Sequence, residues 1–125
     1  MYKFKIFLFS IIVFQLIKGN LIQPENGSTI NTTHILFEWQ QIQYANQYQL
    51  QLCYDDLFSN CLPILSSTSL MIIVKDGINW DSDYFWRIKP IFTNGSEGDW
   101  GNQSSFTTSS SIGNPHSIII DQNKI

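Results

Sequence analysis

Residues 83–101, DYFWRIKPIFTNGSEGDWG, decide the fold of this chain. Tyr84, Trp86 and Ile88 fall on one face of this stretch, and the residues between them fall on the other, which is the period of a β-strand. An Asn-Gly pair follows, and this pair is the strongest short signal for a β-hairpin turn. The aromatic side chains are therefore predicted to fill a core rather than to line a binding or catalytic pocket.

The same period of two continues upstream. In residues 35–39 (ILFEW) and 47–53 (QYQLQLC), large apolar side chains on one face alternate with mostly polar side chains on the other. Residues 69–74 (SLMIIV) are apolar on both faces. No stretch after residue 19 shows a sustained helical stripe, and turn signals separate the runs. Short strands at this spacing predict an all-β fold, an antiparallel two-sheet sandwich. Its predicted inward positions are Ile35, Phe37, Trp39, Tyr48, Leu50, Leu52, Trp86 and Ile88.

The N-terminal residues have the pattern of an export signal. Lys3 and Lys5 precede the apolar run 6–17, and a Lys-Gly-Asn sequence closes it with a small residue. Charged, apolar and small segments in this order are typical of a secretory signal peptide. Residues 1–19 are therefore predicted to be removed and the protein to be secreted. The alternative is an uncleaved membrane anchor, but the run is shorter than the roughly 20 residues that a spanning helix needs.

Removal of that segment makes the chain more acidic. Three of the seven Lys and Arg residues, and none of the ten Asp and Glu residues, lie before residue 20, so the formal net charge falls from −3 to −6. Nucleic acids and anionic membranes bind basic surfaces, so neither is an expected partner. About 106 residues remain, which suffices for one domain with one core.

The number of cysteines, two, is consistent with an exported protein. Cys53 and Cys61 enclose the loop CYDDLFSNC, and an even pair in an exported chain predicts a disulfide. Free thiols are the alternative. Two cysteines are too few for a structural zinc site without histidines, and His34 and His116 show no ligand spacing. No metal and no other cofactor is expected.

Four Asn-x-Ser/Thr sequons become meaningful in a secreted protein, because this motif accepts N-glycans. If the sequons are used, they must lie on the surface. Asn26 and Asn31 are predicted to lie in the first loop. Asn94 is predicted to lie at a hairpin tip, and Asn102 on an exposed strand face.

The segment Leu21–Thr108 resembles a fibronectin type III domain. Trp39 ends the second predicted strand, as the core tryptophan of that family does, and ANQYQLQL resembles the third strand. Ile78 lies six residues before Tyr84, the spacing of the family's loop leucine and corner tyrosine. YFWRI and GDW…SFTT resemble the last two strands. The CYDDLFSNC insert and the apolar run 69–74 depart from the family pattern.

This resemblance implies a sandwich of about seven strands over residues 20–108. It also implies that the Tyr84 hydroxyl forms a hydrogen bond with the backbone of the preceding loop. Trp39 and Trp86 are expected to face each other between the sheets, with Tyr48 as a further core residue. Arg87 is expected to point outward and to stack on a neighbouring aromatic ring.

Trp80 and Trp100 stand outside the strand pattern. They either cap the ends of the sandwich or form exposed platforms for a sugar or a protein partner. Catalytic patterns are missing from the sequence: no Gly-x-Ser-x-Gly occurs, and the acid pairs at 55–56 and 81/83 are typical of solvated turns. The chain is therefore predicted not to be an enzyme and to have no catalytic residues.

Residues 109–125 follow the predicted domain. The segment TTSSS predicts a short linker, and SIII further on predicts another strand. The tail is therefore interpreted either as the start of a truncated second domain or as a short tail that folds back. Two function classes stay open. One is a non-catalytic extracellular interaction or spacer module for a protein or glycan. The other is the accessory N-terminal domain of a larger exported enzyme, for example one similar to arylsulfotransferases.

Overall fold

The computed structural model describes residues 19–111. The predicted signal peptide 1–19, except for Gly19, and the strand-like tail after Ser111 lie outside the described residues. No helix within residues 19–111 is long and apolar enough to cross a membrane. The strands are β1 Leu21–Gln23, β2 Ser28–Ile30, β3 Ile35–Trp39, β4 Ala45–Cys53, β5 Leu65–Ser67, β6 Met71–Val74, β7 Asp83–Phe92 and β8 Ser104–Thr108.

The strands form two sheets, which confirms the predicted two-sheet all-β architecture. One sheet has the order β1-β3-β6 and the other the order β2-β8-β7-β4-β5. All pairs are antiparallel except β2 and β8, which run parallel. Residues 19–111 thus form eight strands where about seven antiparallel strands were predicted. Residues 28–30 are too few to show a period, and they follow a reversal at Gly27, whose φ of 81° favours glycine.

Alternation along β3, β4 and β7 builds the core between the sheets. Trp39, Tyr48, Tyr84 and Trp86 are each at most 2% exposed, and the other predicted inward positions on these strands are buried as well. Burial of each large apolar side chain contributes about 1.5–3 kcal/mol. The inward face of three strands therefore supplies most of the driving force for folding.

The two core tryptophans pack against different rings. The Trp86 ring meets Phe37 edge to face with a centroid distance of 5.0 Å, and the Trp39 ring meets Tyr48 at 5.6 Å. The expected facing pair of Trp39 and Trp86 is therefore replaced by two separate pairs. Phe37 and Trp39 share one face of β3 but lie roughly 7 Å apart along the strand. The offset between the sheets decides which of them is opposite Trp86.

Tyr84 fixes the loop that precedes β7. Its hydroxyl oxygen accepts a hydrogen bond of 2.7 Å from the backbone N–H of Asn79, and its ring stacks on Phe106 at 5.3 Å. Ile78, next to Asn79, is buried in the core. This is the tyrosine-corner geometry that the resemblance implies, and it ties the β6–β7 connection to the sandwich.

The apolar run 69–74 has a definite orientation in the structure. On β6, Val74 is buried and Ile72 packs against the core, whereas Met71 and Ile73 are 46% and 60% exposed. β6 is an edge strand, so its outward side chains have a neighbour on one side only. The sequence alone left this orientation open because both faces are apolar.

Cys53 and Cys61 form a disulfide. Cys53 ends β4 and is fully buried, and the two residues also form an isolated β-bridge. The disulfide therefore closes the loop 54–60 at its base, where the chain leaves the sheet.

Tyr84→Phe should lower the free energy of unfolding by about 1–2 kcal/mol, because the Asn79 N–H loses its acceptor in a partly buried site. Tyr54→Phe is the matched control, since the Tyr54 hydroxyl donates a 3.3 Å bond to the Gly77 carbonyl at the surface. The control should change stability by less than about 0.5 kcal/mol. Denaturant unfolding of both variants measures this, and equal stability of Tyr84→Phe and the wild type would contradict the structural role of the hydroxyl.

Joint replacement of Cys53 and Cys61 by alanine should lower the free energy of unfolding by about 2–3 kcal/mol, because the loop between them is no longer closed in the unfolded chain. A thiol reagent should label neither cysteine of the unfolded wild-type protein until a reductant is added. Labelling without reduction would show that the protein has free thiols and would contradict the disulfide.

Candidate functional site

Outward side chains of β4 and β7 form a polar and aromatic surface on the five-stranded sheet. The strand register places Gln51 opposite Arg87 and Gln49 opposite Lys89. Two loops, residues 54–64 and 93–103, lie beside these strands and contribute one aromatic ring each. We call this surface the Arg87 platform; it consists of Gln51, Phe58, Arg87, Lys89 and Trp100.

Arg87 is the centre of this platform. Its Cζ lies 3.9 Å from the centroid of the Phe58 ring and 5.0 Å from that of the Trp100 ring. Its Nε donates a hydrogen bond of 2.8 Å to the Gln51 Oε1. Burial lowers the pKa of Arg87, but a guanidinium stays protonated at physiological pH. The site therefore holds a permanent positive charge between aromatic rings.

Lys89 is placed differently from Arg87. Its Nζ lies 4.8 Å from the Trp100 centroid and forms a 2.9 Å ion pair with Glu97. Glu97 thus neutralises Lys89 locally. Within residues 19–111 no carboxylate forms an ion pair with Arg87. Trp100 consequently contacts two cations, of which one has an acidic partner and the other has none.

The disulfide loop holds Phe58 over the sheet. The Asp55 carboxylate accepts hydrogen bonds from the Ser59 hydroxyl and from the backbone N–H groups of Ser59 and Asn60. The Ser59 hydroxyl, followed by the Asn60 N–H, keeps the pKa of Asp55 below its ordinary value. Phe58 itself has a left-handed φ of 56°. A closed, internally bonded loop therefore fixes the position of this ring.

The β7–β8 connection holds Trp100 in a similar way. It returns along the edge of β7, where the N–H of Gly98 donates to the Pro90 carbonyl and that of Gly101 to the Ile88 carbonyl, each at 2.9 Å. A Cβ at Gly98 would lie 2.7 Å from the Pro90 ring, so only glycine permits this close approach. Trp100 is thus carried by a segment that is bonded to the sheet on both sides of it.

An apolar cavity of about 220 Å³ lies on the other side of this segment. Leu21, Ile42, Ile88 and Phe92 line it, and Trp100 forms part of its wall. Asp99 and Asn102 are polar residues of its lining. The cavity and the Arg87 platform therefore share the 98–102 segment.

Trp80 and Trp100, the two candidate surface tryptophans, are not brought together. Both are partly buried, but Trp80 lies in the loop before β7, and its ring makes no aromatic or cation contact with another described residue. Trp100 contacts both Arg87 and Lys89. Of the two, Trp100 is the one that belongs to a cluster.

The four sequon asparagines are all exposed. The Asn26 side-chain oxygen accepts a bond from the Ser105 N–H, and that of Asn94 accepts from the Ser96 N–H at the β7–β8 turn. Asn102 precedes β8 instead of lying on a strand face as predicted. Its backbone leaves the ladder there because β8 pairs with β7 only from Ser104 onward.

Two of the four acidic residues singled out in the sequence, Asp55 and Asp83, have side-chain hydrogen-bond partners. Asp55 organises its loop, and the Asp83 carboxylate accepts a 2.7 Å hydrogen bond from the Thr107 hydroxyl. Across residues 19–111, no group of three or more His, Cys, Asp and Glu side chains is arranged to hold a metal ion. These carboxylates do not converge on a common point.

The sequence did not identify Phe58 and Gln51 as members of a site. The alternation indicated that Gln51 and Arg87 point outward, but only the strand register shows that they are opposite each other. The Gln51 amide also donates to the Cys61 sulfur at 3.7 Å, so the disulfide and the platform are in direct contact. The short predicted disulfide loop was the available signal that Phe58 returns to the sheet.

Comparisons with known proteins concern the fold. No protein-family model matches the sequence, and no curated protein sequence matches it. Several solved structures are similar, among them the following three. An Fn3-like protein from Clostridium thermocellum has a TM-score of 0.55 at 12% identity, and the match covers 68% of this chain and 88% of that one.

The other two structures are α-L-rhamnosidases. The enzyme from Streptomyces avermitilis, complexed with L-rhamnose, has a TM-score of 0.58 at 14% identity, and the enzyme from Dictyoglumus thermophilum has 0.56 at 14%. Each match covers 73% of this chain but only 10% and 12%, respectively, of the enzyme chains. The similarity is therefore to one small part of a large protein. The chain has the fibronectin type III-like β-sandwich fold that the sequence predicted.

Proposed function

We propose that this domain is a non-catalytic, secreted binding module, and that it binds a saccharide on the Arg87 platform. The observation that carries the proposal is the position of Trp100. Its ring is partly exposed, held on a segment bonded to β7, and contacted by two cationic side chains. A rigid ring with hydrogen-bonding groups beside it is a surface on which a flat, partly polar ligand gains contact area at low entropic cost.

The polar groups around the ring fit the chemistry of a sugar. Gln49, which the strand register places opposite Lys89, presents a side-chain amide that both donates and accepts, and Arg87 adds donors. Sugar hydroxyls need both kinds of partner, while the C–H face of a pyranose ring packs on an aromatic side chain. A protein ligand is the alternative, and it would be expected to use a larger apolar surface than this platform offers.

Several features support a non-catalytic role. The inward positions of the strands hold large apolar side chains that fill the space between the sheets. Two of the carboxylates have structural partners: that of Asp55 accepts hydrogen bonds within its own loop, and that of Asp83 on β7 accepts one from Thr107 on the neighbouring strand β8. Catalysis needs convergent groups in which one tunes the reactivity of another, and the described residues contain no such pair.

The second candidate function is that of an accessory domain in a larger exported enzyme. Its support is the similarity to about a tenth of two α-L-rhamnosidase chains. This reading is compatible with the first, because a saccharide-binding module attached to a glycosidase would hold the enzyme near its substrate and raise the effective concentration. The sequence of the gene downstream of Ile125 distinguishes a free-standing module from an attached one.

Export and glycosylation are further parts of this proposal. The charged and apolar N-terminal segment supports export, and the disulfide between Cys53 and Cys61 is of the kind that persists in oxidising compartments. Asn94 is the sequon that we expect to be used first, because it lies exposed at the tip of the β7–β8 turn.

Trp100→Ala should weaken saccharide binding about tenfold, which corresponds to the loss of ~1.4 kcal/mol. Trp80→Ala is the matched control: it removes the other partly buried tryptophan, and it should leave the affinity unchanged. A panel of neutral and acidic oligosaccharides, tested by calorimetry on the folded domain, identifies the ligand and gives the affinities.

Equal loss of binding in both tryptophan variants would place the site elsewhere. Absence of binding to any oligosaccharide in the panel would contradict the saccharide proposal. Release of free sugar from the panel by the wild-type domain, at rates well above buffer, would contradict the non-catalytic one. Thermal unfolding of each variant separates a lost contact from a lost fold.

Expression in a eukaryotic secretory system should give a protein whose mass falls after enzymatic removal of N-glycans. Asn94→Gln should lower the starting mass by one glycan, because a turn tip is accessible to the transferase. Asn102→Gln is the comparison, since this residue lies beside the apolar cavity. Unmodified peptides at all four asparagines would contradict the proposal of a glycoprotein.

A further inference from the structure

We propose that the saccharide bound on the Arg87 platform carries a carboxylate, as a uronic acid does, and that the Arg87 guanidinium receives it. This inference rests on the proposed function and adds to it the chemical class of the ligand. Three observations support it: the unused donors of Arg87, its lack of an acidic partner, and the distribution of charge over the domain.

The first observation concerns hydrogen-bond donors. A guanidinium has five N–H donors in a planar fork. Within residues 19–111 only the Nε of Arg87 has an acceptor, the Gln51 Oε1 at 2.8 Å. Phe58 and Trp100 lie against the carbon centre of the group and do not accept in its plane. The terminal nitrogens are therefore available for the two parallel bonds that a carboxylate accepts from arginine.

The second observation concerns pairing. Residues 19–111 contain nine acidic and three basic side chains, so an arginine on this surface has many candidate partners. Lys89 has one, Glu97 at 2.9 Å. Arg87 has none among the described residues, although it lies on the same outward face of β7. A cation that is desolvated by rings and left without a counter-charge is electrostatically suited to an anion from outside.

The third observation selects the kind of anion. Two of the three described basic residues, Arg87 and Lys89, lie on the platform, and Lys89 is neutralised by Glu97. One unpaired cation matches one carboxylate per bound sugar unit. A nucleic acid or a heavily sulfated glycan would bring several charges close to a strongly acidic domain and would be repelled. The planar fork also fits a planar carboxylate as a bidentate partner.

The alternative role of Arg87 is purely structural. Its contacts with Phe58, Trp100 and Gln51 join two loops to the sheet, and this clamp needs no ligand. A clamp alone predicts that the charge on the ligand does not matter. The comparison of a charged ligand with its neutral ester separates the two roles without any mutation.

The experiment compares a short oligogalacturonide with the same oligosaccharide after methyl esterification of its carboxyl groups. The chain that contains the whole domain is titrated with each of the two oligosaccharides by calorimetry at pH 7. We expect the acid to bind at least tenfold more tightly than the ester. Raising the salt concentration should weaken only the binding of the acid.

Variants then assign the effect to Arg87. Arg87→Met should reduce the affinity for the acid to that for the ester, and Arg87→Lys should restore only part of it, because the bidentate geometry is lost. Lys75→Met is the matched control, since it removes an exposed cation from the β6–β7 turn and should leave the preference unchanged. Circular dichroism of each variant confirms that the sandwich is intact.

The outcomes separate this inference from the proposed function. Equal binding of acid and ester, or binding of neutral oligosaccharides only, would overturn the carboxylate inference and leave the saccharide module in place. Tighter binding of a sulfated oligosaccharide would overturn it in favour of a different anion. Failure of every saccharide to bind would overturn the proposed function and this inference together.

Discussion

The register between β4 and β7 is the constraint on which the rest of the domain depends. It pairs Leu52 with Trp86 on the inward face and Gln51 with Arg87 on the outward face. Because side chains alternate along a strand, a slip of one residue would turn Arg87 into the core and Trp86 into water. The core and the Arg87 platform are therefore two faces of one pairing. Burial of the tryptophan determines where the arginine stands.

The platform is completed by side chains that are distant from this pair in sequence. Phe58 lies on the disulfide loop, and Trp100 lies on the segment whose backbone is hydrogen-bonded to β7. Each cation–π contact contributes only about 0.5–1 kcal/mol at an exposed site. Their larger effect is to hold the ring and the guanidinium in one arrangement before a ligand is present. A ligand then loses less free energy to ordering of the surface.

The alternation of side chains in the sequence predicted which residues of each strand point inward. It did not predict how distant strands pair or which side chains meet between the sheets. The inward residues of β3, β4 and β7, such as Trp39 and Tyr48, follow from alternation alone. The parallel pairing of β2 with β8 involves residues 78 positions apart and a strand of three residues, so no period reveals it. The contact of Trp86 with Phe37 depends on the offset between the sheets. The position of Phe58 beside Arg87 depends on both the path of the disulfide loop and the register of β4 with β7.

Electrostatics explains why an acidic domain is compatible with the proposed anionic ligand. Without the predicted signal peptide, the chain has a formal net charge of −6, which repels an anion at long range. That repulsion is screened beyond about 8 Å at physiological ionic strength. At contact the nearest unpaired charge is Arg87, whose guanidinium is partly covered by the Phe58 and Trp100 rings, and this partial burial strengthens the attraction. Long-range repulsion therefore disfavours dense polyanions, while short-range pairing favours a single carboxylate, so the net negative charge itself contributes to selectivity.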